Sequence, residues 1–200
     1  MKASDRIAQA AWYVTYSQII FFSTLAICVA LVHLPVLDHR GLSYYGTIRA
    51  TLIPYSTGMI LAGYFMAKAA HVMPKGRRSL WILSEALLVL AVSTVGIWLT
   101  PYSLDAFFHW AHFAASAFLF IVELILAMWL ALGLRRRAIN LSLLAAQMAG
   151  VSIALASEVG ALRRMFLGEV ITQLAFGVLL VHSLWQLARH RDFPLRPQPR

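Results

Sequence analysis

The chain contains one cysteine in 200 residues, and only 12% of its residues are charged. A lone thiol, Cys28, closes no intramolecular disulfide and builds no cysteine-rich metal site. Lying within an apolar run, it reads as a small packing residue. A soluble domain carries about 25% charged residues, and here long apolar runs consume most of the length, leaving no room for a separate soluble domain of even about 50 residues. Acidic residues are scarcest, with eight against 17 lysines and arginines, for a net charge of +9. The cations sit almost wholly at the ends of apolar runs, a topological pattern that needs no nucleic acid to explain it. Also missing are a P-loop, a dinucleotide fingerprint, a G-x-S-x-G elbow and an H-E-x-x-H pair. The last apolar run has no lysine, which excludes a retinal-type Schiff base there. These absences predict a protein that is not an enzyme. No cleavable signal is expected either: the apolar stretch after Lys2 and Arg6 is too long for a signal core, and no Ala-x-Ala site ends it.

What the chain does have is six long apolar runs: Trp12–Leu34, Ala50–His71, Leu80–Leu99, Phe107–Leu132, Asn140–Ser157 and Met165–Leu187. Each is about 20 residues, the length a helix needs to cross a bilayer core. The expected fold class is all-α, a polytopic transmembrane bundle of six helices. Residues 1–190 form its single domain, and residues 191–200, with three prolines, form an extended basic tail.

The loops alternate in charge. Lys2, Arg6, Lys68, Lys75, Arg77, Arg78, Arg135, Arg136, Arg137 and the four arginines from Arg189 onward fall on one side, thirteen cations in all. Arg40, Arg49, Arg163 and Arg164 fall on the other. The positive-inside rule then predicts both termini in the cytoplasm of a bacterial cell, with the bundle in the cytoplasmic membrane. An even number of spans agrees with that.

Trp12, Tyr13 and Tyr16 suit an interfacial belt. The longest outside connection, Pro35–Arg49, carries Gly41 and Gly46 for turns and Tyr44 and Tyr45 for an interface, and reads as a short re-entrant or surface segment. In span two, Gly58 and Gly63 permit close helix approach. Ser79 is the expected N-cap of span three, and Pro101 ends that helix. Span five, with Asn140, Gln147, Ser152 and Ser157, reads as the least apolar run and is expected inside the bundle.

Polar groups inside the runs are the default functional candidates, because charge is costly in lipid. Glu85, Glu123 and Glu169 are the three intramembrane carboxylates. Gln173 shares a helix face with Glu169, while Arg163 and Arg164 just above are expected to clamp Glu169 or Glu158. The alternative role for Glu169 is a proton or substrate group. His112, Ser116 and Glu123 fall nearly on one face of span four, either lining a polar cavity or gluing a helix pair. Glu85 lies nearer the cytoplasm, with Arg77 or Arg78 expected in reach. His33, Asp38, His39, Asp105, His109, Glu158, Arg163 and Arg164 make an outer polar cluster. His33 with His112, or His71 with His182, would suit a bis-histidine haem, and zinc would suit the outer cluster. Interfacial histidines more commonly just hydrogen-bond, so no cofactor or metal is expected.

The segment GLSYYG, followed by STGMILAGYFMA, resembles the start of a bacterial six-span membrane family of unknown function, the DUF family 998. VGIWLTPYSLDAFFHWAHFAASAFLF resembles its second outer loop, and GALRRMFLGEVITQLAFGVLLV its closing helix. The resemblance implies marked positions at Asp105, His109 or His112, and Arg164. The sequence departs from the family at Leu99-Thr100-Pro101, in place of a tighter turn, and at Arg163 beside Arg164. A more distant likeness is to DRAM/Sfk-type six-span proteins.

The leading expectation is a non-enzymatic accessory or interaction subunit, with the lipid bilayer and other integral membrane subunits as partners. The alternative is a transporter or lipid-handling protein using His112, Glu123, Glu169 and Gln173. A haem-bearing redox subunit is the third reading.

Overall fold

The computed structural model describes residues 2–33, 40–101, 104–134 and 137–189; the proline-bearing tail lies outside them. Among the described residues there are six α-helices, one 3-10 helix and no strand. The order is α1 (Ala3–Leu31), the 3-10 helix Leu42–Thr47, α2 (Arg49–Val72), α3 (Arg78–Leu99), α4 (Ala106–Gly133), α5 (Arg137–Glu158) and α6 (Met165–Arg189). The helices run from 22 to 29 residues, about 33–43 Å at 1.5 Å per residue, enough to cross a bilayer.

Five of the helices are long and apolar enough to span a membrane: α1, α3, α4, α5 and α6. The second, α2, is long enough at 24 residues but falls short in apolarity. Pro54, Ser56, Thr57 and Lys68 interrupt it. Averaged over the whole helix, α5 is one of the two least apolar helices, as expected for span five, and α2 shares that place. Helix α2 packs between α1 and α3 and buries Gly58, Met59, Ala62, Gly63 and Met66. By contrast α5 is a flank. It buries Asn140, Gln147, Gly150, Ala154 and Ser157 and exposes most of its other residues. Asn140, Gln147 and Ser157 lie on the buried face while Ser142 and Ser152 are exposed, so the number of polar residues does not report how central the helix is.

Packing runs α3–α2–α1–α6–α5, and α4 closes the bundle against α3, α5 and α6. Small residues set the tightest approaches, as expected where apolar lipid offers no competing drive. A Cβ on Gly58 would collide with the Thr24 side chain of α1. A Cβ on Gly63 would come within 2.9 Å of Val95 on α3. Gly150 of α5 and Gly168 of α6 meet backbone to backbone, with each added Cβ 2.8 Å from the other's carbonyl oxygen.

Two contacts fix which ends meet. Arg6 Nε donates to the Val72 carbonyl at 2.9 Å, and Trp12 meets Trp185 edge-on at 5.3 Å. The start of α1, the α2–α3 turn and the end of α6 therefore share one end, called here the basic end. The 3-10 helix, the start of α4 and the start of α6 share the opposite end.

Local details correct three further expectations. The first helix begins at Ala3 rather than Trp12, and the Asp5 carboxylate in its first turn accepts the Lys2 backbone N–H at 3.3 Å. The third begins at Arg78, so Ser79 lies inside its first turn, buried, and does not cap it. Glu85 pairs with Lys75 at 3.9 Å, not with Arg77 or Arg78. Asp105 caps α4, accepting the Phe108 N–H at 2.9 Å.

Candidate functional site: an acidic cavity under the 3-10 helix

The GLSYYG segment turns inward because its tyrosine and leucine find partners there. Leu42 and Tyr45 are buried. The Thr51 hydroxyl donates to the Tyr45 carbonyl at 2.6 Å, and the Tyr45 hydroxyl donates to the Val32 carbonyl at 3.3 Å. The Tyr45 ring packs edge-on against Phe166 of α6. The 3-10 helix thus roofs the interhelical space, with Leu42 and Tyr45 turned inward and its other residues partly exposed.

Beneath it lies a cavity of about 90 Å³ walled by α1, α2, α3, α4 and α6. That is room for several waters. Glu123 enters from α4 and is only 3% exposed; its Oε2 accepts from Gln173 Nε2 of α6 at 3.0 Å. Glu169 lies one turn nearer the roof on α6, and its Oε2 accepts the Leu42 N–H. That N–H belongs to the first turn of the 3-10 helix, where no intrahelical acceptor exists. Gly41 leaves room at this junction: a Cβ there would come within 2.7 Å of the Glu169 carboxylate, which would have to shift. Gln18 of α1, Ser43, Thr94 and Ser116 add further polar groups, while Met59, Phe120 and Phe176 supply apolar wall. Gly177 makes room for Gln18, since a Cβ there would collide with the Gln18 amide oxygen. Among the described residues no lysine, arginine or histidine lines the cavity.

A second crevice sits beside the first and shares Ser43, Tyr55 and Ile97 with it. His112 lines this crevice, and its Nδ1–H donates to the Thr100 carbonyl at 2.7 Å. The stripe of His112, Ser116 and Glu123 therefore descends from the crevice into the cavity along α4. Glu169 and Gln173 face the same space from α6.

The remaining outer cluster is not gathered. His33, Asp105, His109, Glu158, Arg163 and Arg164 are exposed, and Asp38 and His39 lie outside the described residues. Among the described residues, neither Arg163 nor Arg164 makes an ion pair with Glu158 or Glu169, so the expected clamp gives way to the bond between Glu169 and the roof. No group of three or more His, Cys, Asp or Glu suited to a metal ion occurs among the described residues. His182 Nε2 contacts the Gln186 amide one turn away, and His71 is exposed.

Sequence reasoning missed Gln18, Ser43 and Thr94 as wall residues. Gln18 did carry a signal, being the sole carboxamide in the first apolar run. Ser43 and Thr94 carried none, since hydroxyl residues are common in helices and turns. No family model, curated protein or solved structure matches this chain.

Proposed function

We propose that the chain is a six-span integral membrane protein of the bacterial cytoplasmic membrane, with both termini cytoplasmic. Its activity is to move protons or a small cation through the acidic cavity. One observation carries this reading: two carboxylates from different helices open onto one internal space that no cationic side chain lines among the described residues. Intramembrane acids that face a cavity are the usual elements of ion and proton paths. In this reading Glu123 and Glu169 are the carrying groups, Gln173 and Gln18 hold the path polar, and His112 stands at the outer mouth. The six-span count takes α2 as a span, on its length and its packing between α1 and α3.

The test is reconstitution into liposomes that enclose a pH-sensitive dye, under an imposed membrane potential. Wild type raises proton uptake above protein-free liposomes, and Glu123→Gln and Glu169→Gln return it to that level. Full flux in both variants, or no flux by wild type with protons, sodium, potassium or methylammonium as the permeant species, refutes the reading.

A second reading, an accessory subunit of a larger membrane complex, has its own observation. Phe107, Trp110 and Phe113 form an exposed aromatic row on α4 at i, i+3 and i+6, with Phe107 74% exposed. Purification in mild detergent brings down a stable integral partner if this reading holds, and yields the chain alone if it fails. The resemblance to the DUF family 998 is kept on the same footing, as is the expectation of no cofactor. An absorption spectrum with a Soret band would overturn the latter.

A further inference from the structure

Among the described residues six buried side-chain atoms have no hydrogen-bond partner: Ser79 Oγ on α3, and five on α5 and α6, namely Asn140 Oδ1 and Nδ2, Gln147 Oε1 and Nε2, and Ser183 Oγ. Asn140 and Ser183 are fully buried and Gln147 is 1% exposed. Asn140 and Gln147 are seven residues apart, two turns, and so lie on one face of α5. It is the face that meets α6, because Gly150 abuts Thr172 and Gly168 abuts Ala154. Counting along the antiparallel pair from those contacts brings Asn140 level with His182, next to Ser183, and Gln147 level with Ala175, just past Gln173. Folded proteins rarely leave both ends of a buried carboxamide unpaired, and polar side chains within a membrane characteristically face one another or water.

We propose that Gln147, Asn140 and Ser183 line a water-holding chamber along the α5–α6 seam, with water and hydronium as its ligands. Asn140 and Ser183 offer three polar atoms at one level and Gln147 offers two at the next, which meets the two to four partners that a buried water needs. The chamber continues the series of Glu169, then Glu123 with Gln173, toward the basic end. It extends the proposed path but rests on different side chains, so the two stand or fall separately.

The test places single cysteines at Asn140→Cys, Gln147→Cys and, as a lipid-side control, Met148→Cys, in a Cys28→Ser background. Membrane vesicles of both orientations are treated with a permanently charged, membrane-impermeant thiosulfonate. The cysteine at 147 reacts at least tenfold faster than that at 148, and only when the basic end faces the reagent. Equal rates at 147 and 148 overturn the chamber. Gln147→Leu is unfolded thermally in parallel, which keeps the proposal exposed should the cysteine variants fail to fold. In a dry seam, leucine removes two unpaired polar atoms and raises Tm, overturning the chamber; in a wet one it strands the remaining groups and lowers Tm. Labelling at 147 alongside full proton flux in Glu123→Gln removes the cavity reading and leaves the chamber. Loss of flux in Glu123→Gln with no labelling at 147 does the reverse.

Discussion

Replacing Gly150 with alanine tests whether the α5–α6 seam is set by backbone contact. The added Cβ would lie 2.6 Å from both Thr172 N and Thr172 Oγ1, and 2.8 Å from the Gly168 carbonyl oxygen. An ordinary Cβ contact begins at 3.4 Å, so the helices must separate by several tenths of an ångström. Two of the three obstructing atoms are backbone and have no rotamer into which to move. Overpacking of this kind costs about 1–3 kcal/mol. Against it stands the helix-propensity gain of alanine over glycine, about 0.8–1 kcal/mol. Gly96 of α3 isolates that gain, because nothing lies within 4 Å of its added Cβ. Gly96→Ala should therefore be neutral to stabilising, and Gly150→Ala should fall below it by about 1–3 kcal/mol, the overpacking cost alone. Reversible unfolding in mixed micelles, with helicity followed by circular dichroism, measures both. If Gly150→Ala equals or exceeds Gly96→Ala in stability, the seam is not held by glycine contact and the register drawn from it fails.

Three further outcomes follow from individual bonds. A double-mutant cycle of Glu123→Ala and Gln173→Ala, followed by the same unfolding assay, should give a coupling energy of about 0.5–3 kcal/mol, as expected for contacting residues; additivity within about 0.3 kcal/mol would mean the two do not interact. Thr51→Val deletes the buried donor to the Tyr45 carbonyl and should cost about 1–3 kcal/mol, with faster amide exchange in residues 42–47 as the local readout. Asp105→Ala removes the N-cap of α4 and should cost about 1 kcal/mol, while Asp105→Asn, which keeps an accepting oxygen, should cost much less.

The parts of the site confined to one helix were legible in the sequence. The angular step of a helix places His112, Ser116 and Glu123 on one stripe and Glu169 with Gln173 on another, and both stripes line the cavity region. What periodicity does not encode is which stripe faces which. The bond from Gln173 to Glu123 spans 50 residues and that from Leu42 to Glu169 spans 127, and neither leaves a local trace. The turn-forming glycines and tyrosines of residues 41–46 marked a structured connection, yet its inward direction depends on Phe166 and Glu169, far along the chain. The misplacing of α5 has a similar origin. Asn140, Gln147 and Ser157 were counted as polarity, whereas their common burial at a single seam keeps the rest of α5 free to face lipid. In α2, the interruptions by Pro54, Ser56 and Thr57 were visible, but which of its faces packs between α1 and α3 was not.

The link between the roof and α6 bears on biosynthesis. Leu42 leaves the ribosome 127 residues before the carboxylate that receives its N–H. Until the sixth helix is synthesised, the Leu42 N–H lacks its carboxylate and Glu123 lacks the Gln173 amide, leaving the lid held through Tyr45. The acidic compartment is therefore completed only at a late stage of assembly, when α6 docks and supplies both Glu169 and the amide that donates to Glu123.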